Sequence, residues 1–84
     1  MWTEAFLEYL TLERNYSLRT VEEYRDDLNA FESYYKKVDS TLSWETIDGD
    51  VVRDWMVSMM EAGRTATTVN RRLSALRTFY RYLL

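Results

Sequence analysis

An all-α fold, a compact four-helix bundle, is predicted by three features: the chain has no proline, it has only two glycines, and apolar residues recur at three- and four-residue spacing in four separate stretches. Eighty-four residues suffice for one small domain with a single modest core. The chain contains no cysteine and no histidine, so neither a disulfide nor a zinc site can staple it, and apolar packing must hold it together. Seven Tyr, three Trp and three Phe supply much of that packing. No apolar run is long enough to span a bilayer, and the N-terminus lacks the charged and apolar regions of a signal peptide. The expectation is a soluble, cytoplasmic protein with no membrane partner.

The first helix is predicted over about residues 2–14, where Trp2, Phe6, Tyr9 and Leu10 share a face. "RNYS" interrupts it, because Asn15 tolerates a turn and Ser17 can cap the next helix; Thr20 with Glu23 offers a rival capping box three residues later. The second helix spans about 18–36 on Val21, Tyr24, Leu28, Phe31 and Tyr35. "KVDSTLSWETI" has no helical period and reads as a loop whose Leu42, Trp44 and Ile47 tuck against the core. Asp48 then caps a third helix over 49–62, with Asp50 in the first turn and a buried stripe of Val51, Val52, Trp55, Met56, Met59 and Met60. Gly63 supplies the residue without a Cβ that a left-handed C-terminal cap needs. Thr65 caps the fourth helix, 66–84, with Val69, Leu73, Leu76, Tyr80 and Leu83 inward and Phe79 at the edge. No Gly, Asn or Pro closes this last helix, so the chain reads as cut from something longer, although a natural C-terminal helix docked into the core would read the same.

Charge is unevenly distributed. The net charge is −3, yet residues 1–62 carry fourteen acids against six bases, a net of −8, while residues 63–84 carry five arginines and no acid, a net of +5. The pI therefore averages two opposite surfaces. One reading makes the last helix a solvated amphipathic helix whose arginines pair with acids elsewhere. It suits Arg77 and Arg81, since cations near a helix C-terminus gain roughly 0.3–1 kcal/mol from the dipole. It does not suit Arg64, Arg71 and Arg72, which lie at the positive end. A helix start with free N–H groups, the hydroxyls of Thr65, Thr67 and Thr68 and nearby arginines is a place for an anion.

At 100° per residue, Thr67, Asn70, Arg71, Ser74, Thr78 and Arg81 fall opposite Val69, Leu73 and Tyr80. Small hydroxyls, an amide and arginines suit phosphates and base edges. The second helix adds a smaller basic start, Arg19 and Thr20 and then Arg25, before "EEYRDD" turns acidic and reads as a solvated run. Spacing alone leaves two readings open, nucleic-acid binding and a small helical protein–protein interaction module with a basic face. An enzyme is disfavoured, because the chain shows no nucleophile with a base, no phosphate loop and no metal ligands at a recognisable spacing. No cofactor is expected.

Two long strings, "FLEYLTLERNYSLRTVEEYRDDLNAFESYY" and "DVVRDWMVSMMEAGRTATTVNRRLSALRTFYRYLL", carry a family resemblance over nearly the whole chain. With Ser17 and Thr20 before Tyr24, "DL" at Asp27 and Leu28, Phe31, a turn at Gly63 and "TVNRRLSALRTFYRYL", the sequence resembles the N-terminal core-binding, SAM-like domain of tyrosine recombinases and phage integrases, including Xer-type and conjugative-transposon members. The resemblance implies a four-helix DNA-binding domain that clamps duplex DNA together with a separate C-terminal catalytic domain. Carried onto this chain, the contacts would come from Arg19, Thr20 and Arg25, and from Arg64, Thr67, Thr68, Asn70, Arg71 and Ser74, with Arg72 and Arg77 flanking. Glu22 and Glu23 depart from a basic pattern there.

The family's catalytic residues belong to the C-terminal domain, so no catalytic residue is assigned here and none of the tyrosines is a nucleophile. The implied partners are double-stranded DNA and, in a longer parent, other recombinase protomers, with the isolated domain monomeric.

Overall fold

The computed structural model describes residues 2–84, which form α1 (Trp2–Leu12), α2 (Leu18–Val38), α3 (Gly49–Glu61) and α4 (Ala66–Leu83), with one 3-10 turn at Trp44–Thr46. No strand occurs among the described residues. The all-α four-helix bundle expected from the sequence is the fold observed.

Each helix boundary follows from local chemistry. α1 ends at Leu12, two residues earlier than its apolar spacing suggested, because Asn15 turns left-handed at φ 54° and the Tyr16 N–H closes back onto the Leu10 carbonyl at 3.0 Å. Ser17, rather than Thr20, caps α2, its hydroxyl accepting from the Thr20 N–H at 3.2 Å. α2 continues to Val38. Asp48 accepts from the N–H groups of Asp50 and Val51 to start α3. α3 closes in a Schellman motif: Gly63 takes φ 84°, the Arg64 N–H reaches the Met59 carbonyl and the Gly63 N–H reaches that of Met60.

The core is largely aromatic. Phe6, Phe31 and Phe79 are fully buried, and Tyr35, Trp44 and Trp55 nearly so. Phe79 meets Phe6 at 5.2 Å and Trp44 at 4.8 Å between ring centroids, while Phe31 meets Trp55 at 4.9 Å. These edge-on and tilted pairs each add about 0.5–1.5 kcal/mol beyond area burial. α4 packs against all three other helices, which explains why Phe79 lies at the centre of the core rather than at an edge.

Other side chains also depart from their expected places. Met60 is exposed, because the buried arc of α3 narrows to Trp55 and Met59; Trp2 is half exposed at the start of α1; and Leu7, outside the expected stripe, is buried. The segment read as a loop does anchor Trp44, with Leu42 and Ile47 packed beside it, and it uses one 3-10 turn to do so.

Candidate nucleic-acid interface

The starts of α2 and α4 are built alike. In each, the capping hydroxyl accepts the N–H of the residue three positions on and donates to that residue's hydroxyl. Ser17 donates to Thr20 Oγ1 at 3.0 Å, and Thr65 donates to Thr68 Oγ1 at 3.1 Å. The Thr20 and Thr68 hydroxyls therefore keep their own protons to donate outward. Neither helix has an acid in its first turn, whereas α1 and α3 do, at Glu4 and Asp50. Two of the four helices thus present a positive dipole end without a carboxylate to offset it.

The exposed arc of α4 carries Thr67, Asn70, Ser74, Arg77 and Arg81, and Arg64 stands just ahead of the Thr65 cap; none of these side chains makes a hydrogen bond or ion pair among the described residues. Arg77 and Arg81 thus have no acid partner among the described residues, and intramolecular ion pairing, which suited them best on the dipole argument, does not involve them there. The arginines that do meet an acid are Arg71 and Arg72.

Both converge on Asp27 of α2. Arg71 donates through Nη2 to Asp27 Oδ1 at 3.0 Å, and Arg72 Nε stands 3.7 Å from the same oxygen. Asp27 is 3% exposed and is the one buried charged residue among the described residues. Burial pushes its carboxyl above the usual carboxylate range, opposed by the hydrogen bond and charge of Arg71 and by the charge of Arg72. Burial likewise lowers the Arg72 guanidinium, with the charge of Arg64 next in weight. The Arg72 Nε is buried without a hydrogen bond, and its Nη1 reaches only the Met59 sulfur, at 3.7 Å.

Sequence reasoning missed this cluster, although the signal was present. Asp27 lies three residues after Tyr24 and four before Phe31, on the apolar stripe of α2 rather than in a solvated run. Arg72 lies three after Val69, four before Leu76 and seven before Phe79, on the buried stripe of α4. A charge on each of two facing apolar stripes is the pattern of an inter-helix ion pair, since neither could be buried alone.

The structure groups some expected site residues and separates others. Arg71 and Ser74 share a groove of about 120 Å³ with Glu23, Tyr24 and Asp27. Arg25 points to the other side of α2, where it shares a groove with Glu4, Leu7 and Glu8 of α1. Its Nη1 donates to Glu4 at 2.7 Å and its Nε stands 3.4 Å from Glu22, contacts that raise its pKa further. Arg19 is exposed and 3.7 Å from Glu23. No cluster of three or more potential metal ligands occurs among the described residues, and no described helix is long and apolar enough to cross a membrane.

Residues 3–84 match the family described as phage integrase, N-terminal SAM-like domain. The chain is 40% identical over 84 residues to the tyrosine recombinase XerC of Pelotomaculum thermopropionicum, covering 95% of this chain and 28% of that protein. It is 31% identical over 83 residues to XerC of Bacillus subtilis, covering 99% of this chain and 27% of that protein. Against the tyrosine recombinase XerD of Oceanobacillus iheyensis the identity is 28% over 81 residues, with 96% and 27% covered. The chain therefore spans about a quarter of the length of the curated relatives it matches. No solved structure matches it.

Proposed function

The chain belongs to the family of phage integrase N-terminal SAM-like domains, and from that premise we propose that it is the DNA-binding domain of a tyrosine recombinase, holding duplex DNA through the starts of α2 and α4. The observation that carries this reading is the start and exposed arc of α4, where Thr67, Asn70 and Ser74, with Arg64 just ahead of the cap, have no partner among the described residues and accompany a helix start free of acids. Arg64 and Arg71 would address phosphates, with the Thr20 and Thr68 hydroxyls and the first-turn N–H groups of each helix adding donors. Arg19 would extend the contact on α2, and Arg77 along α4. Thr67, Asn70 and Ser74 have the size and polarity to reach base edges.

Strand breakage and rejoining would be work for another part of a longer parent, which would act on DNA in the cytoplasm with other protomers. This chain would supply grip and orientation without catalysis. Alone and monomeric it should bind weakly, in the roughly 10⁻⁴–10⁻⁶ M range of non-specific binding, and with a steep salt dependence.

The test is a titration of the 84-residue chain with a mixed-sequence duplex at low salt, monitored by amide NMR shifts. Shift changes concentrated at residues 17–20 and 64–74, abolished by Arg64→Glu, are the expected result. Shift changes that survive both Arg64→Glu and Arg71→Glu would place DNA elsewhere. A stable dimer in sedimentation with no DNA binding at low salt would instead favour a protein-interaction module.

A further inference from the structure

We propose that Asp27 is a positioning residue for DNA binding: its buried carboxylate fixes the Arg71 guanidinium at the surface between α2 and α4, ready for a phosphate. The inference rests on the DNA-binding reading of α4 and adds a role for an acid that a charge count would score against binding.

Four observations carry it. Asp27 belongs to α2 while both arginines belong to α4, so the contact sets where Arg71 stands relative to the second helix. Arg71 spends one N–H on Asp27, at 3.0 Å, and its side chain remains 51% exposed. A guanidinium has five N–H donors, so four stay available in a fixed plane. Arg71 also lines the groove that holds Ser74, one of the polar side chains on the exposed arc of α4. Finally, stability alone does not account for the arrangement. A buried carboxylate shared between two arginines, one of which leaves its Nε unsatisfied, is an expensive way to join two helices whose stripes are otherwise apolar.

A flexible arginine must be ordered when it meets a phosphate, and one already held loses less on binding. Arg72, mostly buried, shares the Asp27 carboxylate with Arg71, so the three-residue cluster carries a net positive charge. The cluster thus remains attractive to an anion while one of its members is held still.

The prediction has a sign that distinguishes it from simple electrostatics. Removing an acid from a DNA-binding surface should tighten binding, whereas removing a positioning acid should weaken it. The probe is a fluorescein-labelled mixed-sequence duplex titrated with this chain at several salt concentrations. Asp27→Leu, which removes the acceptor altogether, should weaken binding by about 2- to 10-fold despite the gain in net positive charge. Its salt slope should stay close to that of the unmodified chain, because Arg71 keeps its charge and meets the same phosphate at a larger ordering cost.

Asp27→Asn keeps an acceptor and the shape, so it should fall between the two and provides the test if Asp27→Leu does not fold. In an Arg71→Ala background the Asp27 substitution should weaken binding no further. Equal or tighter binding by both Asp27 variants overturns the proposal, and so does a further loss in the Arg71→Ala background, which would mean that Asp27 acts through the fold. If Arg64→Glu weakens binding while the Asp27 variants do not, only the positioning role fails. If the unmodified chain does not bind the duplex, the DNA-binding reading fails and takes this inference with it.

Discussion

The hydroxyl of Tyr80 donates to the backbone carbonyl of Trp44 at 2.7 Å, joining α4 to the 3-10 turn that plugs the aromatic core. No backbone N–H among the described residues satisfies that carbonyl, so Tyr80 is what allows the turn to be packed inward. Tyr80→Phe keeps the ring and removes the donor. The expected cost is about 1–2 kcal/mol, because a half-buried acceptor is left unpaired. For a domain of this size that lowers Tm by roughly 4–16 °C. A thermal melt monitored by circular dichroism measures it; a Tm unchanged within error would mean that water replaces the phenol without loss.

The same phenol predicts a pH dependence. Burial pushes the Tyr80 pKa up to about 12, with the charge of Glu45 adding to it, and burial pushes Tyr35 higher still. An unfolded tyrosine loses its proton near pH ~10. Between that value and the folded one, the folded state binds more protons than the unfolded state, so stability falls as pH rises. The contribution of both phenols is complete below pH ~10 and is lost progressively above it. Urea midpoints measured from pH 8 to 11.5 should hold steady and then drop, and Tyr80→Phe should make the drop shallower. A midpoint that rises through this interval would contradict the burial of both hydroxyls.

The two glycines should respond in opposite directions. An added Cβ meets nothing within 4 Å at either position, so sterics with neighbours decide neither case. Gly63 holds φ 84° at the Schellman cap, and Gly63→Ala should destabilise by about 1–2 kcal/mol. Gly63→Asn should cost less, because asparagine tolerates that region. Gly49 opens α3 with no positive φ, and Gly49→Ala should stabilise by about 0.4–1 kcal/mol by restricting the unfolded chain. Chemical denaturation of the three variants checks both signs at once.

Helix count, caps and most of the core were legible in the sequence, because each rests on local spacing and on residues with a strong positional meaning. Asp48, Gly63 and Thr65 act where their chemistry places them. What local spacing could not rank was the centre of each buried arc. Phe79 reads as an edge residue when the stripe is centred on Leu73 and Tyr80, whereas contact with three helices shifts the buried arc toward Ala75 and Phe79. The exposed face of α4 was legible as a polar arc. The Asp27 cluster was not, because a run of charges invites a solvated reading until two helices are placed against each other.

Arg25 and Arg64 should behave differently toward DNA, because sequence makes them look similar and structure does not. Arg25 is enclosed by two acids: its Nη1 reaches Glu4 Oε2 at 2.7 Å and its Nε lies 3.4 Å from Glu22 Oε2, on the α1 side of α2. Its charge is largely cancelled before any phosphate approaches. Arg64 comes directly after the Gly63 turn, precedes the Thr65 cap and has no ion-pair partner among the described residues. A phosphate at the start of α4 would lie near an uncancelled guanidinium, whereas one near Arg25 would have to compete with Glu4 and Glu22. Arg64→Ala should therefore lower the salt slope of duplex binding by about one, the signature of one lost phosphate contact, while Arg25→Ala leaves it unchanged. The stability effects should be small in both cases, because exposed ion pairs contribute about 0–1 kcal/mol. Anisotropy titrations at four or more salt concentrations separate the two slopes. If Arg25→Ala proved the more damaging, the DNA would have to run along the α1–α2 side of the bundle, and the face of α4 would need another role.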